Sequence, residues 1–219
     1  MLEVDCLTRS FGRRGWGGKG LRTVVDAVSF TAPSGQVTAL LGHNGSGKST
    51  TLRMCAGALR PTAGTITFDG ERAGPGSVKV KRLTGYIPDI GGVFPRLSGW
   101  EHMQLAARLF GLDGWEPRAD ALLEVLGIAE AKGSLAGTYS HGMSRKLSCA
   151  IAFLPDPQLL LADEPFDGVD AEGVAVMSSL LVEAAGNGAT VVLATHLLDV
   201  AARICSSTVR LNAGQVVVQ

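Results

Sequence analysis

No two of the four cysteines, Cys6, Cys55, Cys149 and Cys205, are spaced as a CxxC pair. The usual sequence frameworks for zinc and dithiol redox sites are therefore missing, and the pattern fits free thiols in a reducing compartment. Net charge is missing too. Twenty basic and twenty acidic residues cancel over 219 positions, which argues against a dedicated nucleic-acid binder. No apolar stretch reaches the roughly 18–20 residues needed to cross a bilayer. The best candidate, CAIAFLPDPQLLLA, is broken by Pro155, Asp156 and Pro157. The N-terminus, MLEVDCLTRSFGRR, has no apolar core of the kind a signal peptide needs. There is no internal repeat and no heptad run. One large domain, or a core with an inserted subdomain, is expected, soluble and cytosolic by itself.

What is present is an alternation of strand and helix signals. Residues 1–8, 24–31 and 36–41 alternate or run apolar between turn signals, so they predict strands. SFGRRGWGGKGLR, between the first two, reads as a basic, glycine-rich loop. A helix is expected from Gly47 to about Leu59, and RPTAGTITFDGE gives a turn and a further strand pair. From 98 to 153 the spacing is helical in three stretches, with Ser98 and Ser140 placed as N-caps. Strands return at 158–162, 189–195 and 207–218, with a helix from about Ala171 to Ala185. This order predicts an α/β fold: a mainly parallel sheet core (residues 1–90 and 155–219), antiparallel β elements at the N-terminus and an inserted helical subdomain (91–154). Met103, Leu105, Leu109 and Phe110 are expected to form the insert's own core, and its outer face would be the place to dock a membrane partner.

Two segments carry chemistry. GHNGSGKST, Gly42 to Thr50, follows an apolar strand and opens a helix, and satisfies the P-loop pattern GxxxxGK[ST]. Its glycines let backbone N–H groups turn inward around a phosphate, and the helix N-terminus adds its positive dipole end. Lys48 would reach the β- and γ-phosphates of a nucleotide, and Ser49 would offer its hydroxyl to Mg²⁺. The second segment is LLLADEPFDGVD, in which a buried strand delivers Asp163, Glu164, Asp167 and Asp170 in quick succession. Buried like charges are costly unless a cation compensates. Asp163 is therefore expected to hold magnesium as a Walker B acid, and Glu164 to activate the attacking water.

Order and spacing narrow the class further. YSHGMSRKL, Tyr139 to Leu147, begins 24 residues before Asp163 and opens a helix. It resembles the LSGGQ signature of ABC ATPases, in the YSxGM form frequent among their exporters. ATHLLD supplies His196 where that family has its switch histidine, and FDGVD resembles its D-loop. LTGYIPD stands in the Q-loop place, and Phe11 where an aromatic stacks on adenine, although Trp16 in the same loop is an alternative. No GTPase-type NKxD motif is present.

The resemblance implies a P-loop NTPase core of RecA-like type and two copies of the domain closing head to tail over two ATP molecules. Gly42, Asn44, Gly45, Ser46, Gly47, Lys48, Ser49 and Thr50 of one copy would bind the triphosphate with Mg²⁺. Ser140 and Gly142 of the other would cap the γ-phosphate. Glu164 would act on the water, His196 would hydrogen-bond the γ-phosphate, and Asp170 would lie across the dimer interface. Taken singly, His196 reads as an ordinary strand-end histidine and Ser140 as a helix cap.

Three positions depart from the family pattern. Asp89 stands where the Q-loop has Gln, His141 replaces the first signature glycine, and Met143 replaces its glutamine. Asp89 is expected to meet Mg²⁺ through a water, the alternative being solvent or a pairing with Lys79 or Lys81. Asp167 is expected to be only a solvated charge.

The function this implies is the ATPase subunit of a membrane transporter, in particular an exporter with a separately encoded integral membrane permease, peripheral on the cytoplasmic face and paired with a second nucleotide-binding subunit, a homodimer. With no helix or strand signal beyond the last strands, no appended regulatory domain is expected. A soluble ABC ATPase acting on DNA or ribosomes is the alternative, and a small-molecule P-loop kinase would have no use for the signature.

Overall fold

The computed structural model describes residues 1–12 and 20–217. In chain order its main elements are β1 (Leu2–Phe11), β2 (Arg22–Ala32), β3 (Val37–Leu41), α1 (Lys48–Cys55), β4 (Ala63–Phe68), β5 (Glu71–Arg72), α2 (Val78–Arg82) and β6 (Thr84–Ile87). They continue with α3 (Gly99–Phe110), α4 (Glu116–Val125), α5 (His141–Phe153), β7 (Leu159–Asp163), α6 (Ala171–Gly186), β8 (Thr190–Ala194), α7 (Leu198–Ile204), β9 (Ser207–Asn212) and β10 (Gln215–Val216).

Two sheets result. The first is antiparallel, in the order β2-β1-β4-β5, and the second has the order β10-β9-β3-β8-β7-β6. In the second sheet β9, β3, β8, β7 and β6 run parallel, and only β10 is antiparallel to its neighbour. Every residue of β3, β7 and β8 is buried, as expected of parallel strands covered on both faces. Side-chain alternation along β7 divides the interior in two. Leu159 and Leu161 join α1 and the antiparallel sheet, while Leu160 and Ala162 join α3, α4, α5 and α6. The α/β class and the parallel core are thus as expected, and the first acid after Leu161 does enter the protein, Asp163 being fully buried, while Asp167 and Asp170 stay exposed.

Two helices of residues 98–153, α3 and α5, start where capping chemistry predicts. Ser98 and Glu101 form a reciprocal capping box at α3, and the Ser140 hydroxyl accepts from Met143 N at α5. Other elements depart from expectation. β1 and β2 extend into the glycine-rich segment, with Phe11 paired to Arg22. α1 ends at Cys55 rather than near Leu59, because the N–H groups of Ala58 and Leu59 both turn back to Arg53 O. The single last strand is a hairpin, reversed at residues 213–214 where Ala213 takes φ 47°. Leu109 is 72% exposed, since α3 buries His102, Met103, Ala106 and Ala107 on its inner side and Leu109 falls off that stripe. Leu105 and Phe110 are half-buried. Among the described residues no helix is long and apolar enough to cross a membrane.

Candidate functional site

The turn between β3 and α1 is shaped by its backbone. Gly47 caps α1 at φ 107°, in the left-handed region, and a Cβ there would lie 3.0 Å from Val24 O. Glycine is the residue that allows both. Asn44, Gly45, Ser46, Gly47, Lys48, Ser49 and Thr50 line a cavity of about 210 Å³ that also receives Asp89 and Glu164. Lys48 is almost fully buried and donates from Nζ to Gly42 O at 2.7 Å. Its ammonium also lies 3.4 Å from Glu164 Oε1.

Glu164 reaches this cavity from the end of β7, and Asp163 beside it meets the cavity wall through Ser49. Asp163 accepts a hydrogen bond from Ser49 Oγ at 3.0 Å. Burial first, then the charges of Asp89 and Glu164, push its carboxyl up to about 6, against the lowering effect of the Ser49 bond. Glu164 sits at φ 46°, a strained conformation for a residue with a side chain, of the kind that clusters at functional sites. Its backbone N–H is fixed on Ala194 O at 2.8 Å. Its Oε2 accepts from His196 N at 3.2 Å and meets His196 Nδ1 at 2.9 Å.

Among the described residues, three buried oxygens in this region, Ser46 Oγ, Asp163 Oδ2 and Glu164 Oε1, find no hydrogen-bond partner. Buried polar atoms are normally satisfied, so each calls for a ligand or a solvent molecule. Oxygen donors of this kind suit a magnesium ion carried by a phosphate chain. Ser49 and Asp163, hydrogen-bonded to each other, are the side chains that would hold it.

Other expected site residues stand apart from the cavity. Ser140 and Gly142 lie at the start of α5. Gly142 packs so closely on the loop before α6 that a Cβ would come 2.7 Å from Gly168 O. Asp170 caps α6 through Gly173 N at 3.2 Å and pairs with Lys146 at 3.0 Å. The Lys146 hydrogen bond holds its carboxyl below the ordinary range. Phe11 is 41% exposed at the end of β1 with the Arg9 guanidinium 4.5 Å over its ring, and it is not part of the cavity lining. Trp16 lies outside the described residues.

Two expectations need correction. Asp89 does not pair with Lys79 or Lys81, which bond Glu71 Oε1 and Pro75 O instead; it faces Arg145 at 3.3 Å. Asp167 is not merely solvated, because His141 Nε2 lies 3.3 Å from its Oδ2. Sequence reading had missed Arg145 altogether. The available signal was a second basic residue beside Lys146 on a helix with a buried face.

Comparison with known proteins agrees with this architecture. Residues 25–167 match the family model described as ABC transporter. The chain is 33% identical over 221 residues to the Nod factor export ATP-binding protein I of Ralstonia nicotianae, covering 100% of this chain and 66% of that protein. It is 33% identical over 218 residues to the ABC-type transporter ATP-binding protein EcsA of Bacillus subtilis, covering 99% and 85%. The linearmycin resistance ATP-binding protein LnrL of Bacillus subtilis is 28% identical over 219 residues, with 99% and 68% covered. Among solved structures, an ATP-binding subunit of an ABC transporter superposes with a TM-score of 0.86 at 34% identity, over 98% of this chain and 87% of that one. A dimeric bacterial ABC transporter cassette shares the fold, with a TM-score of 0.86 at 22% identity. On its P-loop, its buried acids and these matches, the chain belongs to the ABC transporter family, as one of its ATP-binding ATPase domains.

Proposed function

We propose that the chain hydrolyses ATP to drive export through a separately encoded integral membrane permease, acting at the cytoplasmic face as one of two identical nucleotide-binding subunits. The observation that carries the ATPase part is that Lys48, Ser49 and Glu164 line one cavity, with Asp163 bonded to Ser49 and His196 to Glu164 behind them. Export as the direction draws its support from relatives named for Nod factor export and for linearmycin resistance.

In this reading the P-loop N–H groups from Asn44 to Thr50 and the Lys48 ammonium bind the phosphate chain. Mg²⁺, when bound, neutralises phosphate charge; Ser49 and Asp163 hold it, with Asp89 near enough to the cavity to act through water. Glu164 accepts the proton of the attacking water on Oε1, the oxygen not engaged by His196. His196 keeps Oε2 in place. With a carboxylate as its partner, Nδ1 is the donor in that contact. Ser140 and Gly142, at the N-terminus of α5, serve the second copy's γ-phosphate, and Asp170 serves the interface. Phe11 stacks on the base.

Two measurements test this reading. Purified protein should hydrolyse MgATP, and affinity capture from detergent-solubilised membranes should recover an integral membrane protein. Recovery with ribosomes or DNA, and none in the membrane fraction, would sink the transporter assignment.

A further inference from the structure

Asp89 and His141 depart from the family pattern, and the fold brings them, with Asp167, together around one buried side chain. Arg145, on α5, is only 6% exposed. It donates from Nη1 to Pro88 O at 2.7 Å and from Nη2 to Asp89 Oδ1 at 3.3 Å. Asp167 Oδ2 lies 3.9 Å from the same Nη2, and His141 bonds that oxygen from the far side. A guanidinium cannot shed its proton, so burying it requires opposite charge nearby.

Asp89 is the nearest such charge, and its position is unusual. It lines the 460 Å³ cavity around Arg145 and also the P-loop cavity that holds Lys48, Ser49 and Glu164. An acid at that shared wall adds negative charge beside Asp163 and Glu164, exactly where a triphosphate would carry more. Arg145 offsets it. An aspartate and an arginine in contact present the nucleotide with a nearly neutral pair, the charge state that a single glutamine would provide.

We infer that Arg145 is a positioning residue for nucleotide binding, which fixes Asp89 and offsets its charge at the P-loop cavity. The inference rests on the ATP-binding reading above. The contact also joins the segment after β6 to α5 and, through Asp167 at 3.9 Å, to the loop before α6.

The test is ATP affinity in Mg²⁺ and in EDTA, measured with a fluorescent ATP analogue, because metal-free ATP carries more negative charge and feels an uncompensated acid more strongly. Arg145→Met keeps an unbranched side chain of similar length but removes the cation. It should raise the ratio of the EDTA Kd to the Mg²⁺ Kd by about fivefold. Adding Asp89→Asn in that background should return the ratio to the parent value. Asp89→Asn alone should lower the ratio by removing the acid; Arg145→Gln, which keeps hydrogen-bonding capacity and removes the cation, should raise it and serves the test where Arg145→Met fails to fold. A purely structural Arg145 would change stability and leave the ratio of its own variants at the parent value, which overturns the inference while MgATP binding stands. A parent protein that binds no MgATP would overturn the ATPase reading and this inference with it.

Discussion

His196 holds one oxygen of Glu164 by two bonds, a backbone N–H at 3.2 Å and ring Nδ1 at 2.9 Å, both to Oε2. The other oxygen, Oε1, accepts no hydrogen bond among the described residues and lies 3.4 Å from the Lys48 ammonium. A carboxylate anchored on one oxygen and left available on the other suits a base that must accept a proton at a fixed place. Replacing Glu164 by Gln preserves size and the ability to accept from His196 N, but removes basicity. Hydrolysis should fall by about 100-fold or more while the Kd for MgATP stays within a few-fold. Steady-state ATPase assays and equilibrium binding on the same preparation check this, and loss of binding in parallel with turnover would assign Glu164 a structural part instead.

Ser140 separates a local duty from an intermolecular one. Its hydroxyl caps α5 through Met143 N at 3.2 Å, so Ser140→Ala should cost about 1 kcal/mol of stability. Ser140→Arg puts a long cation on the proposed γ-phosphate-capping surface. In the Glu164→Gln background ATP should convert monomer to dimer on size exclusion, and Ser140→Arg should abolish that shift. A Glu164→Gln protein that stays monomeric with bound ATP would argue against a dimer of the isolated subunit.

The legible parts were those fixed by local chemistry. The strand–P-loop–helix unit, the buried strand before Asp163 and the Ser98 and Ser140 caps each follow from a short sequence pattern, and the structure contains all of them. Partners set by long-range packing were not legible. Arg145 meets Asp89 across 56 positions, and no helical period announces which residue will face the end of β6. The strained φ of Glu164 likewise depends on its N–H reaching Ala194 O on the neighbouring strand. Leu109 shows the same limit in reverse: its apolar character predicted burial, but its angular position on α3 leaves it outside.

The cysteines give a test of packing independent of nucleotide. Cys6 is exposed, whereas Cys55 and Cys149 are buried and their thiols are pushed up to about 12 by desolvation. The thiolate is the reactive form, so at pH 8 the two buried thiols should resist alkylation until the protein unfolds. Cys205, partly buried and pushed up to about 11, should react slowly. Mass spectrometry after iodoacetamide treatment, with and without urea, reads the order directly. Rapid labelling of Cys149 in the folded protein would contradict the packing of α5.

Asp163 should cost the metal-free protein stability at neutral pH. It is fully buried, and its carboxyl is pushed up to about 6 from an ordinary 3.8. Between those values the folded chain holds a proton that the unfolded chain has released. Stability therefore falls as pH rises from about 4 to about 6, and the whole penalty is present above that window. Its upper bound is about 3 kcal/mol. Asp163→Asn keeps the oxygen that accepts from Ser49 and removes the charge. Without nucleotide or magnesium, the variant should be more stable than the parent at pH 7.5, by 1 to about 3 kcal/mol. Near pH 4.5 most of that advantage should vanish, because the parent carboxyl is then protonated when folded. Urea unfolding at the two pH values measures the difference. Equal or lower stability of Asp163→Asn at pH 7.5 would mean that the buried charge is already compensated within the chain, and that no cation is needed to justify it.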